Sequence, residues 1–203
     1  AVTVTRDGGY AMGCSNRDFM LIVTDVAGEE LWSRTYDLGG TDDCRRIIQA
    51  TDGGFVLGGV IWQGNESGHY GIMKTDPQGE LLWSATYGAG DINELYVLAE
   101  TDDGGYLIAG NSLQADWTSS VIYVVKLNGA GEFVWHRSYP QEGGQFCTGY
   151  AQGPWGQFIF IGYNMRQVGD EWDQRNDVFL LKIAQNGVPL DWATYEADTW
   201  DLG

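Results

Sequence analysis

Lys74-Thr75-Asp76-Pro77-Gln78-Gly79-Glu80-Leu81-Leu82-Trp83 ends one apolar run, turns on Gly79 and opens a second run that carries a tryptophan. The pattern recurs as Thr24-Asp25-Val26-Ala27-Gly28-Glu29-Glu30-Leu31-Trp32 and as Lys126-Leu127-Asn128-Gly129-Ala130-Gly131-Glu132-Phe133-Val134-Trp135. A looser copy is Lys182-Ile183-Ala184-Gln185-Asn186-Gly187, followed by Trp192. Asp25, Asp76 and Asn128 hold one position in the turn, where a short side chain bonds its own backbone; they are read as structural.

A second marker alternates with the first: Asp7-Gly8-Gly9-Tyr10, Asp52-Gly53-Gly54-Phe55, Asp103-Gly104-Gly105-Tyr106 and the degenerate Pro154-Trp155-Gly156-Gln157-Phe158. Asp-Gly-Gly before an aromatic is hairpin-turn chemistry, because glycine takes the positive φ that tight turns need. Gly53, Gly104 and Trp155 are spaced 51 residues apart, so Trp155 is aligned with the first glycine. Four such periods, approximately 1–40, 41–90, 91–142 and 143–203, cover the chain as one domain.

Each period contains four short runs rich in aromatic and β-branched residues. In the third these are Leu95–Thr101, Tyr106–Asn111, Val121–Leu127 and Glu132–Tyr139, and no segment has helical periodicity. The third run of each period, such as Phe19–Val23 or Val178–Leu181, is apolar without alternation and calls for a sheet covered on both faces. The fourth alternates, as in Leu31–Tyr36, which suits an outer strand. Four-stranded sheets of this kind, repeated every 40–50 residues, are blades of a β-propeller. The expected fold is therefore all-β, a propeller of four blades with four antiparallel strands each. Its channel is lined by Val2–Thr5, Arg45–Thr51, Leu95–Thr101 and Cys147–Gln152. Joining Gly203 to Ala1 would close a four-bladed ring, which removes exposed sheet edges; a four-repeat piece of a longer array fits the same ends.

The D-G-G-[YF] run with the K-[TL]-[DN]-x-x-G-x-x-x-W hairpin resembles the propeller-type repeats of secreted or surface-exposed bacterial and archaeal proteins. The hairpin also resembles the tryptophan-docking segment of quinoprotein propellers. The resemblance covers essentially the whole chain and implies an architecture and an extracellular or cell-surface setting, not an activity. Quinoprotein cofactor binding does not follow, since the chain has half the usual eight blades and no vicinal cysteines.

The 203 residues carry a net charge of −17, a field that repels nucleic acid and anionic membrane. No apolar stretch is long enough to span a membrane. The start at Ala1 fits a processed protein or an excised fragment. Three cysteines, Cys14, Cys44 and Cys147, allow at most one disulfide and signal no zinc site.

Loops between second and third strands open on one end of a propeller and lengthen along the chain, from Ser15–Asp18 through Gln63–Gly68 and Ser112–Ser119 to Asn164–Asn176. Off-pattern tryptophans Trp62, Trp117, Trp172 and Trp200 fall on or beside this end, with Asp170, Asp173 and His69. Aromatic rings beside carboxylates suit sugars, since a ring stacks on the apolar face of a pyranose while acids and amides meet its hydroxyls. Carboxylates also gather there, including Asp37, Asp42 and Asp43. Paired, they would serve glycoside hydrolysis; converging, they would hold Ca²⁺; neither pattern is specific, and no cofactor is signalled. The leading reading is a non-enzymatic binding module for carbohydrate or a protein partner. The alternatives are a glycan-active hydrolase or lyase on the same face, and a structural or assembly unit from a longer repeat protein.

Overall fold

A computed structural model of the chain describes the backbone of residues 1–63, 67–88, 92–113, 120–141, 144–168 and 171–195, and the side chains of these except 63, 166–168 and 171–176. Among the described residues sixteen strands fall into four antiparallel meanders. The first is β1 (Val2–Val4), β2 (Tyr10–Asn16), β3 (Asp18–Thr24) and β4 (Glu30–Tyr36); the second is β5 (Thr41–Gln49), β6 (Phe55–Gln63), β7 (Ser67–Thr75) and β8 (Leu81–Tyr87). The third is β9 (Ile92–Glu100), β10 (Tyr106–Leu113), β11 (Ser120–Leu127) and β12 (Phe133–Tyr139); the fourth is β13 (Gly144–Gln152), β14 (Phe158–Val168), β15 (Glu171–Ile183) and β16 (Pro189–Tyr195). One parallel pair, Gly68 opposite Ile92, joins the second and third meanders at an edge.

The turns follow the sequence code. Asp76 Oδ1 accepts the amides of Gln78 at 2.9 Å and Glu80 at 2.8 Å, and Asp25 and Asn128 repeat the arrangement. The second glycine of each Asp-Gly-Gly turn lies against the third strand: a Cβ on Gly54 would stand 2.1 Å from the Thr75 carbonyl oxygen. The fourth period departs by one residue from the spacing. Gly153 N bonds Gln157 O at 2.8 Å as Ala50 N bonds Gly54 O, which puts Gly156, at φ +69°, in the place of the first glycine. Trp155 therefore occupies the position of Asp52 and Asp103, at a left-handed φ of +60°.

Among the described residues three core clusters hold the meanders together, each built from facing sheets. Ala11, Phe19 and Leu21 pack with Phe55, Leu57 and Met73; Val56, Tyr70 and Ile72 with Tyr106, Ile108 and Val125; Leu107, Ile122 and Val124 with Phe158, Phe160 and Phe179. Every boundary repeats a second device. The repeat tryptophan of one sheet lies over the hairpin glycine of the next, so a Cβ on Gly79 would be 2.7 Å from Trp32 and one on Gly131 2.4 Å from Trp83. The tyrosine ending the same fourth strand donates its hydroxyl to that glycine's carbonyl, Tyr36 to Gly79 at 2.7 Å and Tyr139 to Gly187 at 2.7 Å.

The apolar third strands behave as expected in the middle of the stack, where β7 and β11 are buried almost throughout. In the outer sheets they do not. β3 alternates between buried and half-buried residues, and Val178 and Leu180 of β15 are respectively exposed and half-buried while Phe179 and Leu181 are buried. Among the described residues no core cluster joins the fourth sheet to the first, so the expected closure at four blades is not seen there.

Candidate functional site

The expected site lies mostly outside the described residues: Trp117, Trp200 and Asp170 in full, and Trp172 and Asp173 in their side chains. The backbone of the fourth period still corrects one expectation. Residues 164–168 and 171–176 are strand and prolong the β14–β15 hairpin, with Met165 opposite Asn176, Arg166 opposite Asp173 and Gln167 opposite Trp172 after a register shift. A hairpin satisfies its backbone by pairing with itself, which the polar residues of this stretch conceal. Trp62 and His69 are described and are not brought together. Trp62 pairs with Gly68 across β6 and β7, and directly opposed residues share a face, so His69, one residue further, points to the other face.

At the same end the structure singles out Asp42, on β5 and 2% exposed. Its Oδ2 accepts the Leu38 amide at 3.3 Å, and its Oδ1 has no hydrogen-bond partner among the described residues. Burial pushes this carboxyl up to about 6 against the pull of the Leu38 amide, with the charges of Asp18 and Asp37 adding to the rise. The folded protein therefore takes up a proton before the unfolded chain does, and this group adds stability as pH falls from about 7 toward 4. Asp42→Asn is expected to raise stability by about 2 kcal/mol near pH 7.5, the gain shrinking toward pH 4, in urea titrations across that range. Among the described residues no three His, Cys, Asp or Glu side chains converge as a metal site.

The opposite end, formed by the Asp-Gly-Gly turns and tryptophan hairpins, carries a groove of ≈ 480 Å³ between the third and fourth sheets. Trp155, Gln185 and Asn186 form one wall, Trp135 another, and Lys126 and Asp103 lie at its side. Lys126 is buried and its Nζ contacts Asp103 Oδ1 at 3.0 Å and Leu127 O at 2.8 Å. Asp103 also accepts Thr101 Oγ1 at 2.6 Å and the Gly105 amide at 3.0 Å. Burial would raise this carboxyl, but the hydrogen bonds from Thr101, Lys126 and Gly105 hold it below its ordinary value, so it stays anionic. Trp155 is 85% exposed. A left-handed tryptophan costs about 1–2 kcal/mol, and an exposed ring kept there at that cost marks a functional candidate. The sequence signal was present, as the one period whose Asp-Gly-Gly turn is replaced.

No family model and no curated protein matches the chain. Solved structures do. A protein of unknown function from Bacteroides caccae matches with a TM-score of 0.56 at 16% identity, over 92% of this chain and 58% of that one. The Glu150Gln mutant of the Synechocystis apocarotenoid oxygenase matches at 0.54 and 13%, over 95% and 47%. A eukaryotic initiation factor matches at 0.51 and 11%, over 96% and 54%. The similarity is one of fold, and the chain spans about half the length of the structures it matches.

Proposed function

We propose that the four meanders are β-propeller blades and that the chain is a non-enzymatic binding module that takes carbohydrate. The observation that carries this reading is Trp155, exposed and in a left-handed backbone beside an open groove with amides at Gln185 and Asn186. An indole face stacks on the apolar face of a pyranose, the two amides donate to and accept from hydroxyls, and anionic Asp103 accepts. The loop-end tryptophans Trp62, Trp117, Trp172 and Trp200 remain a second candidate surface for the same ligand class, and a protein partner remains the other ligand class. An extracellular or cell-surface setting is supported by the resemblance of the repeat to secreted propeller proteins. No cofactor enters this reading, and the charge of −17 argues against nucleic acid.

The hydrolase alternative draws on Asp42, whose raised pKa resembles that of a general acid. Its burial weighs against that role, because a general acid must come within hydrogen-bond reach of the leaving oxygen.

Titration with a panel of soluble oligosaccharides, read by tryptophan fluorescence and calorimetry, tests the reading. At least one sugar should bind to the wild type, and Trp155→Ala should weaken it tenfold or more, about 1.4 kcal/mol. Silence across the panel, or binding indifferent to Trp155→Ala, would count against this groove.

A further inference from the structure

The first and last sheets present the two halves of an interface that the chain makes three times internally. On the fourth sheet, Ile161 (46% exposed) and Val178 (51%) occupy positions whose counterparts Ala109 and Ile122 in the third sheet are fully buried. Tyr195, 58% exposed, ends β16 as Tyr36 ends β4 and Tyr139 ends β12, but those two are buried with their hydroxyls on the next sheet's hairpin glycine. On the first sheet the matching glycine is Gly28, and a Cβ built there meets nothing within 4 Å, whereas Gly79, Gly131 and Gly187 are each covered by the preceding sheet. Val4, 65% exposed, and Tyr10 complete that open face.

At one position the halves differ: Asp191, opposite Lys182, stands where Trp32 and Trp83 stand, and Trp192, one residue further, packs inward and stacks on Phe179 of its own sheet at 5.2 Å. Lys182 is the counterpart of Lys74, whose Nζ lies 5.6 Å over the ring of Tyr106 in the next sheet, and Tyr10 holds the place of Tyr106. The turn beside Lys182 carries Trp155 where Lys74 and Lys126 find Asp52 and Asp103, so an aromatic from a following sheet suits this lysine especially.

We propose that the last sheet of one chain docks on the first sheet of a second copy, and that two copies close an eight-sheet ring through two such interfaces. A second copy is the occupant that presents both missing halves at once, and two copies bring the assembly to roughly the length of the solved chains this one matches. The contact is heterologous, so closure is what limits it to a pair.

Sedimentation equilibrium on the wild type and two variants tests it. The wild type should run at twice the mass of one chain at ~10 µM, an ordinary concentration for a micromolar or tighter pair. Val178→Glu and Val4→Glu change exposed positions and should melt like the wild type at a dilution where it too is monomeric, yet at ~10 µM each should run as a single chain. Mixed one to one they should form a heterodimer, since the last sheet of Val4→Glu and the first sheet of Val178→Glu are both intact. A monomeric wild type overturns the proposal, as does open-ended growth or failure of the two variants to complement. Sugar binding in the Trp155 groove is measured separately and does not depend on the outcome.

Discussion

Gly131→Ala is expected to lower stability by about 3 kcal/mol, or roughly 10 °C in Tm for a chain of this size, while Gly28→Ala costs about 1 kcal/mol. Both glycines sit at positive φ, +78° and +86°, so backbone strain is common to the two. What differs is the neighbour. A Cβ on Gly131 would lie 2.4 Å from the ring of Trp83, inside van der Waals contact, and the ring is held between the second and third sheets. Relief requires the sheets to part, which also strains the 3.3 Å hydrogen bond from Tyr87 to the Gly131 carbonyl. Gly28 has open space instead. Thermal unfolding of the two variants at a concentration where the chain is monomeric reads the difference; equal losses would mean that the tryptophan does not clamp the turn.

The second large effect concerns the buried lysine. Asp103→Ala should cost about 2–3 kcal/mol near pH 7, because it removes the one carboxylate on the buried Lys126 ammonium and leaves its hydrogen bond to the Leu127 carbonyl. Lys126→Met should cost about 1 kcal/mol, since the methionine fills similar volume and the carboxylate, half exposed, returns to water. The sign with pH follows from the depressed pKa of Asp103. Its contribution is fully present above the ordinary carboxylate range and is lost as pH falls through the lowered folded value. Asp52, drawn up by burial but held down by Lys74 and the Gly54 amide, behaves alike. Denaturant titrations should therefore show wild type and Asp103→Ala converging at acid pH. This trend is opposite to that of Asp42, so Asp42→Asn and Asp103→Ala separate the two contributions.

Much of the scaffold is legible in the residues. The Asp or Asn before the first three hairpin glycines, the Asp-Gly-Gly turns and the tryptophans Trp32, Trp83 and Trp135 are local chemistry at fixed spacing, and the structure places them as that chemistry requires; in the fourth period Asp191 takes the repeat position, and Trp192, one residue further, packs inward against Phe179. Coverage is not legible in the same way. Val178–Leu181 and Phe19–Val23 read like the third strands of the middle sheets, because a strand records the character of its faces and not what lies on them. The one-residue slip at Trp155 escaped spacing because two neighbouring residues, Trp155 and Gly156, both take positive φ, and only the Gly153 to Gln157 bond fixes the register. In the sequence Asp42 is one acid among many; its burial arises where β5 enters beside Arg17, whose carbonyl accepts the Asp42 amide at 2.6 Å. The groove at Trp155 lies at the end of the sheets opposite the lengthening loops.

The most direct measurement of the arrangement of the sheets is a distance between spin labels on Ala27→Cys and Leu190→Cys in one chain, with Cys14 replaced by serine and labelled chains diluted in unlabelled ones. These positions flank the Gly28 turn and the Trp192 strand. If the first and last sheets of a chain face a second copy, the two labels in one chain sit far apart across the ring. A short separation, about the 10 Å spacing of packed sheets plus the label arms, would show the fourth sheet docked on the first within a single chain and would contradict the account.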